Sequence, residues 1–578
     1  MGGASGRTVM PPFLKQSFLP RRSSRTETRF RGILIPALIP LGAVAAGFLF
    51  PYAAVLAAGI SKSFDASMLN RNLASLVFFT VKQALFSCLA ALVLGLPGAW
   101  FLGLQDKRTG VMRLLSGIPF AMPSILVVLG FVLFYGNSGW LNRITVSIFG
   151  LKEAPFRILY RPEAVILAHG FYNFPLVIRL LGDGLRKAGR GYAKPALSLG
   201  ASPFLCFVTV LLPLALPSLM ASLILTFLYS FTSFAVVLVL GGGAAASTLA
   251  VEIYRYARIS LDLSSAGLLA FLETLIAAGA FGLYLIFDRM SLKAGLERRE
   301  ETEAVRHGGF FRSGMIVYLV FTACFSFGPI LSIPVESLLQ KPSRSRPAEW
   351  SLRWWQSLGD SVLPALGRSL VLALLSASIA CILGILAAGA WRGMEQEKKG
   401  SALFLRGAMT SPLFSSGIVL SLGWMILYGR EGSRTIFSAA MLHAIIALPF
   451  VFSSLAQGLS SLSDNTLKAA ETAGAGPLVR LFTVAIPCAG NRLRSAWAFA
   501  AILSLGELNA VMMLGMEKWE TLPLLIYRAA GAYRYGSACA AGTVLMAVMA
   551  LVFALAEFSF RGRKTPIYTA GKRVEYGN

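Results

Sequence analysis

A carboxylate interrupts an apolar stretch at Glu507, in the run Ser504-Leu505-Gly506-Glu507-Leu508-Asn509. An ionisable group at the centre of a bilayer costs roughly 2.5–3.5 kcal/mol on insertion scales, so it marks a cavity or a partner. The equivalent place earlier in the chain carries Ser230, Thr232 and Ser233. Glu507, with Asn509 nearby, is suited to steadying a cation in transit. The other reading is a carboxylate bonded to neighbouring backbone or hydroxyls that holds helices together. His169 and His443 occupy matched apolar stretches. Such a pair gates or senses pH, or serves as an interhelical hydrogen-bonder. Asn173, among Phe171, Tyr172 and Phe174, offers stacking surfaces to a heterocycle or fills a core. Glu273 is a lone acid with no evident role. No cluster has metal-ligand spacing, no nucleophile stands by a base, and no Gly-x-x-x-x-Gly-Lys-Ser/Thr phosphate loop occurs. Residues of these types handle passage rather than catalysis.

The elements that carry them are membrane helices. Apolar residues make up 56% of the 578-residue chain and charged residues 14%, with a mean hydropathy of +0.68. Soluble domains carry about 25% charged residues. A net charge of +26 invites a nucleic-acid reading. The basic residues cluster in short loops and tails between apolar stretches, as cytoplasmic loops do, and this argues against nucleic acid. The six cysteines are scattered, without metal spacing, and read as small core residues.

An apolar helix needs about 20 residues to cross the bilayer. Twelve such stretches are expected, near 33–58, 75–102, 112–135, 163–185, 217–240 and 264–287, then 314–333, 365–391, 402–428, 436–458, 490–515 and 537–559. The first is too long for a signal-peptide core and stays as a helix. Both tails are basic, through Arg21, Arg22, Arg25, Arg29 and Arg31 at one end and Arg561, Arg563 and Lys564 at the other. Both therefore belong on the cytoplasmic side. The expected organisation is a tail at 1–32, a repeat at 33–287, a cytoplasmic linker at 288–313, a second repeat at 314–560 and a tail at 561–578. The fold class is all-α, with two parallel six-helix repeats related by an axis along the membrane normal. One outside loop, 136–162, departs from the charge bias with Arg143, Lys152, Arg157 and Arg161, and reads as a small folded surface element.

The repeat is written in the residues. His169/His443, Pro175/Pro449, Gly184/Gly458, Lys194/Lys468, Ala196/Ala470, Gly200/Gly474, Pro203/Pro477 and Pro213/Pro487 all stand 274 positions apart. A constant offset over such a window means a duplicated unit. Inside it lies a polar, small-residue loop. The first copy runs Lys194-Pro195-Ala196 to Gly200, then nine residues, then Val210-Leu211-Leu212-Pro213. The second runs Lys468-Ala469-Ala470 to Gly474 and on to Pro487. Small residues allow close approach, the glycine permits a break at positive φ, and the proline marks entry into the next helix. Both copies fall on the cytoplasmic side, as twin handles for a partner with two sockets.

This loop resembles the EAA loop of ATP-binding-cassette (ABC) importer permeases, in which Glu-Ala-Ala, three residues, Gly, nine residues and Ile-x-Leu-Pro form a coupling helix. Lys194 and Lys468 replace the acidic residue. The flanks resemble the fused, twelve-span thiamine permease family, related to the ferric-iron permeases. They are Ser230–Phe234, Leu240-Gly241-Gly242-Gly243, Tyr135–Leu141, and Glu520-Thr521-Leu522-Pro523-Leu524-Leu525-Ile526-Tyr527-Arg528. The resemblance implies a type I importer permease of the bacterial inner membrane. It implies two copies of a cytoplasmic ATPase subunit, which hold ATP and Mg, so that this chain needs no cofactor. It also implies an extracytoplasmic solute-binding protein delivering thiamine or its phosphates. Ferric iron or another small solute is the alternative cargo. An ion-driven transporter of 6+6 helices is the alternative from another class, since Gly103–Gly110 is similar to a major-facilitator loop; the second half has Arg392-Gly-Met-Glu-Gln-Glu there.

Overall fold

A computed structural model describes residues 36–62, 71–103, 122–243, 246–296, 309–340, 349–356, 359–397, 399–460, 462–516 and 519–561. The tails apart from Arg561, the basic loop after the second span, the start of the third span and positions 297–308 of the linker lie outside these residues. Among the described residues the chain is almost wholly helical. The first repeat comprises α1 (Pro36–Ile60), α2 (Arg71–Gly103), α3 (Ser124–Tyr135), α4 (Trp140–Phe149), α5 (Pro162–Ser198), α6 (Leu216–Phe231), α7 (Ala235–Leu240), α8 (Leu249–Tyr254) and α9 (Leu263–Leu296). The second comprises α10 (Gly309–Leu338), α11 (Gly359–Glu397), α12 (Lys399–Thr410), α13 (Gly417–Ser433), α14 (Ile436–Ser460), α15 (Asp464–Thr472), α16 (Ile486–Gly506), α17 (Asn509–Leu514), α18 (Leu522–Gly531) and α19 (Tyr535–Arg561).

Each of the twelve expected spans overlaps a helix, but they are not twelve straight spans. Nine helices among the described residues are long and apolar enough to cross a bilayer, or up to eleven if two bent pairs each count as one. The pairs are Pro203–Leu214 with Leu216–Phe231, bent by 73°, and Gly400–Phe414 with Gly417–Gly429, bent by 101°. At the remaining position α16 is a helix of 21 residues whose start is polar, through Asn491, Arg492 and Arg494. Prolines inside the helices, such as Pro97 and the matched pair Pro175 and Pro449, are tolerated where neighbouring helices cover the freed backbone.

The first helix of each repeat leaves its own bundle. α1 packs on α9 and crosses to α13 of the second repeat, while α10 packs on α19 and crosses to α3 of the first. The crossings are bonded. The Tyr52 hydroxyl reaches Ser415 Oγ at 2.7 Å, and the Trp424 indole N–H reaches the Gly47 carbonyl at 2.9 Å. At the other crossing Trp140 Nε1 and Arg143 Nη2 both reach Glu336 Oε1, at 2.8 and 2.5 Å. Apolar side chains from both repeats form one continuous buried core.

The 136–162 loop folds as expected. α4 ends at Gly150 with φ 61°. The buried Asn142 side chain then pins the coil, donating to the Gly136 and Phe156 carbonyls and accepting from the Phe156 N–H.

Candidate transport site and coupling loops

The two repeated loops fold alike at their glycines. Gly200 has φ 90° and Gly474 has φ 86°. Around each, the same bonds close the helix end. The Gly200 N–H reaches the Leu197 carbonyl at 3.0 Å and the Ala201 N–H the Ala196 carbonyl at 3.2 Å. The Gly474 N–H reaches Glu471 at 2.9 Å and the Ala475 N–H reaches Ala470 at 3.0 Å. This is a glycine-terminated helix end, and it requires the left-handed conformation that glycine adopts without strain. Each loop continues through a short helix (Pro203–Cys206 or Pro477–Arg480) and a five-residue π turn (Phe207–Leu211 or Leu481–Ala485). Pro213 and Pro487 follow, both exposed, at the entry to the next helix. Apolar side chains stand exposed on both copies, Leu199 and Phe204 on the first and Val479 and Phe482 on the second. Lys194 and Lys468 lie on the helices that lead into the glycines.

The copies differ in one respect that the repeat does not forecast. In the first, α5 runs unbroken from the membrane to Ser198. In the second, α14 stops at Ser460 and α15 starts afresh, with Ser463 Oγ accepting from the Thr466 N–H at 3.3 Å. The separate α15 is tied to the following helix by an ion pair, Arg480 Nη1 to Glu471 Oε2 at 2.9 Å.

The polar residues expected along a pathway fall into two places. Asn173 and Ser230 meet inside the first repeat, Nδ2 to Oγ at 3.2 Å, and Gln83 Nε2 donates to the Ser230 carbonyl at 2.9 Å. Both are buried among α2, α5 and α6. Thr232 gives its hydroxyl to the Leu228 carbonyl of its own helix. Ser233 is half-buried in the short break before α7. Glu507 lies elsewhere, between the repeats. Its Oε1 accepts from the Asn509 N–H at 2.9 Å and from the Ala510 N–H at 3.3 Å, capping α17. Around it stand Gly417 of α13, Pro123 at the head of α3, which packs on Gly506, and Tyr172 of α5. Asn509 Oδ1, buried there, has no partner among the described residues. Glu507 is thus bonded to its own backbone through one oxygen and faces the seam.

The histidines are interhelical bonders. His169 Nδ1 shares a hydrogen bond of 3.3 Å with Ser87 Oγ, and His443 Nδ1 one of 2.8 Å with Ser504 Oγ, which in turn reaches Ser376. Ser87 and Ser376 escaped the sequence reading, and so did Thr80 and Ser369. The Thr80 hydroxyl accepts from the Leu249 N–H, and the Ser369 hydroxyl from the Leu522 N–H, so that each caps α8 or α18 from the second helix of its repeat. Both pairs are 289 positions apart, a second constant offset that would have revealed them. Glu273 is buried beside Ser416 and Tyr52. No group of three or more His, Cys, Asp or Glu able to hold a metal occurs among the described residues.

Comparison with known proteins agrees with this architecture. Residues 95–293 match the family described as binding-protein-dependent transport system inner membrane component. The chain is 27% identical over 559 residues to the thiamine transport system permease protein ThiP of Brucella suis, covering 93% of this chain and 98% of the relative. It is 24% identical to ThiP of Escherichia coli with the same coverage. The Haemophilus influenzae ThiP is 27% identical over 515 residues, covering 86% of this chain and 91% of the relative. Over 270 residues, 43% of this chain, it is 28% identical to a putative 2-aminoethylphosphonate transport system permease protein, PhnU, of Salmonella typhi. With helices swapped between two repeats and a glycine-terminated loop in each, the chain is similar nearly end to end to binding-protein-dependent permeases of the fused form, and its residues 95–293 match that family.

Proposed function

We propose that this permease moves thiamine or its phosphates into the cell, driven by two copies of a cytoplasmic ATPase that grip the loops at Gly200 and Gly474. ATP and Mg belong to those subunits, and a solute-binding protein delivers cargo at the opposite face. Both termini then lie in the cytoplasm. The observation that carries the reading is the pair of loops with the same backbone geometry, on a chain that aligns nearly end to end with thiamine permeases. Closure of an ATPase dimer displaces both loops together. Each displacement passes through the π turn into α6 or α16. Nucleotide shifts the permease only to the extent that it binds one of its two states more tightly. Glu507, at the seam, presents a carboxylate to a cationic thiazolium.

The test is reconstitution. The chain, purified with its ATPase and binding protein in proteoliposomes, is expected to take up labelled thiamine only with ATP. Uptake by the chain alone on a proton or sodium gradient overturns the reading.

A further inference from the structure

At the far end of α6 and α16 from the repeated loops, basic and aromatic residues of both repeats converge. Arg258, in the π turn Arg255–Ile259 after α8, lies directly against Gly515 of the second repeat. Gly515 ends α17 with φ 66°, and a Cβ there would fall inside the Arg258 guanidinium. Arg434, between α13 and α14, sends Nε toward the Leu514 carbonyl at 3.4 Å. Tyr254 stands within electrostatic reach of Arg258 and Arg528, and Tyr527, its counterpart in the second repeat, stands within reach of Tyr254.

These arginines are not equally occupied. Arg255 is paired with Glu252 at 3.0 Å and Arg528 with Glu520 at 2.8 Å. Arg434 stands 3.9 Å from Glu431 and meets the end of α17, where a cation is favoured by the helix dipole. Arg258 is half-buried and has no ion-pair or hydrogen-bond acceptor among the described residues. Guanidinium donors held half out of water without an acceptor suit an anion whose several oxygens can accept in pairs, such as a phosphate.

The same short helix has Glu507 at its other end. Six residues of helix separate the two ends by about 9 Å. A carboxylate and a guanidinium held that far apart on the seam complement a ligand with a cationic ring at one end and an anion at the other.

We propose that Arg258, with Arg434 beside it, is the anion half of a cargo subsite that takes the phosphate groups of a phosphorylated, cationic cargo, with Glu507 as the cation half. This rests on the thiamine reading above and narrows it, because free thiamine fills only the cation half.

The experiment compares uptake of labelled thiamine and thiamine diphosphate by the reconstituted complex, for the wild type, Arg258→Gln and Arg258→Lys. Arg258→Gln is expected to lower diphosphate uptake about tenfold while thiamine uptake stays within about twofold, since a hydrogen bond to a charged group is worth about a factor of ten or more. Arg258→Lys recovers part of the loss, as a point charge without the fork. An equal fall for both compounds overturns the proposal and marks Arg258 as a gate or as a contact for the binding protein. No fall for either, or a wild type that moves thiamine but not the diphosphate, also overturns it. A wild type that moves neither overturns the thiamine reading and this one together.

Discussion

Gly130 of α3 touches Pro329 of α10 backbone to backbone, and a Cβ on Gly130 would stand 2.6 Å from the Pro329 carbonyl oxygen. Gly423 of α13 meets Pro51 of α1 in the same way at the other crossing. The swapped helices therefore seat on matched glycines, where lack of a side chain lets two backbones approach. Gly130→Val and Gly423→Val are each expected to destabilise the folded chain by about 1–3 kcal/mol, the usual cost of forcing atoms into a packed contact. Thermal unfolding in detergent measures it. Wild-type stability in both variants would show that the crossings are loose.

The second loop carries the ion pair that the first lacks. Leu197 and Cys206 occupy the places of Glu471 and Arg480 in the first copy. The side chains of Arg480 and Glu471 are 18% and 34% exposed, so the pair is sheltered yet not desolvated. Its loss through Arg480→Gln is expected to cost on the order of 1 kcal/mol of loop order. Affinity for the ATPase should then weaken by up to about fivefold, read as the dissociation constant of the permease–ATPase complex. Unchanged affinity would mean that α15 holds its place without the tie.

Glu507→Gln separates charge from shape. A glutamine carbonyl can still accept from the Asn509 and Ala510 N–H groups, so α17 keeps its cap. Assembly with the ATPase should be unaffected, while uptake of a cationic cargo slows by about tenfold, equivalent to 1.4 kcal/mol of lost stabilisation along the path. Equal uptake by variant and wild type would leave the carboxylate with a capping role alone.

The loops were legible in the sequence because their geometry is local. A glycine at 200 and 474, five residues after the first alanine-rich turn begins, specifies a helix end at positive φ whatever surrounds it. The break between α14 and α15 was not read from the repeat; Ser463, which caps α15, stands where the first copy has Gly189. The bends at Ala215 and at Ser415–Ser416 were not read as breaks, since an apolar run of span length looks the same straight or folded.

Composition and repeat determined the class, the duplicated unit and the paired loops, because hydropathy and backbone preference act over a few residues at a time. The tertiary structure decided which helices cross between the repeats, since every span is apolar on several faces and the partner is selected by packing at Gly130 and Gly423 together with the hydrogen bonds at Ser415, Gly47 and Glu336. It also decided that Asn173 and Ser230 turn into the first bundle while Glu507 faces the seam. Glu507 stands where the first repeat has Ser233, and the offset carries no information about the neighbour across the seam.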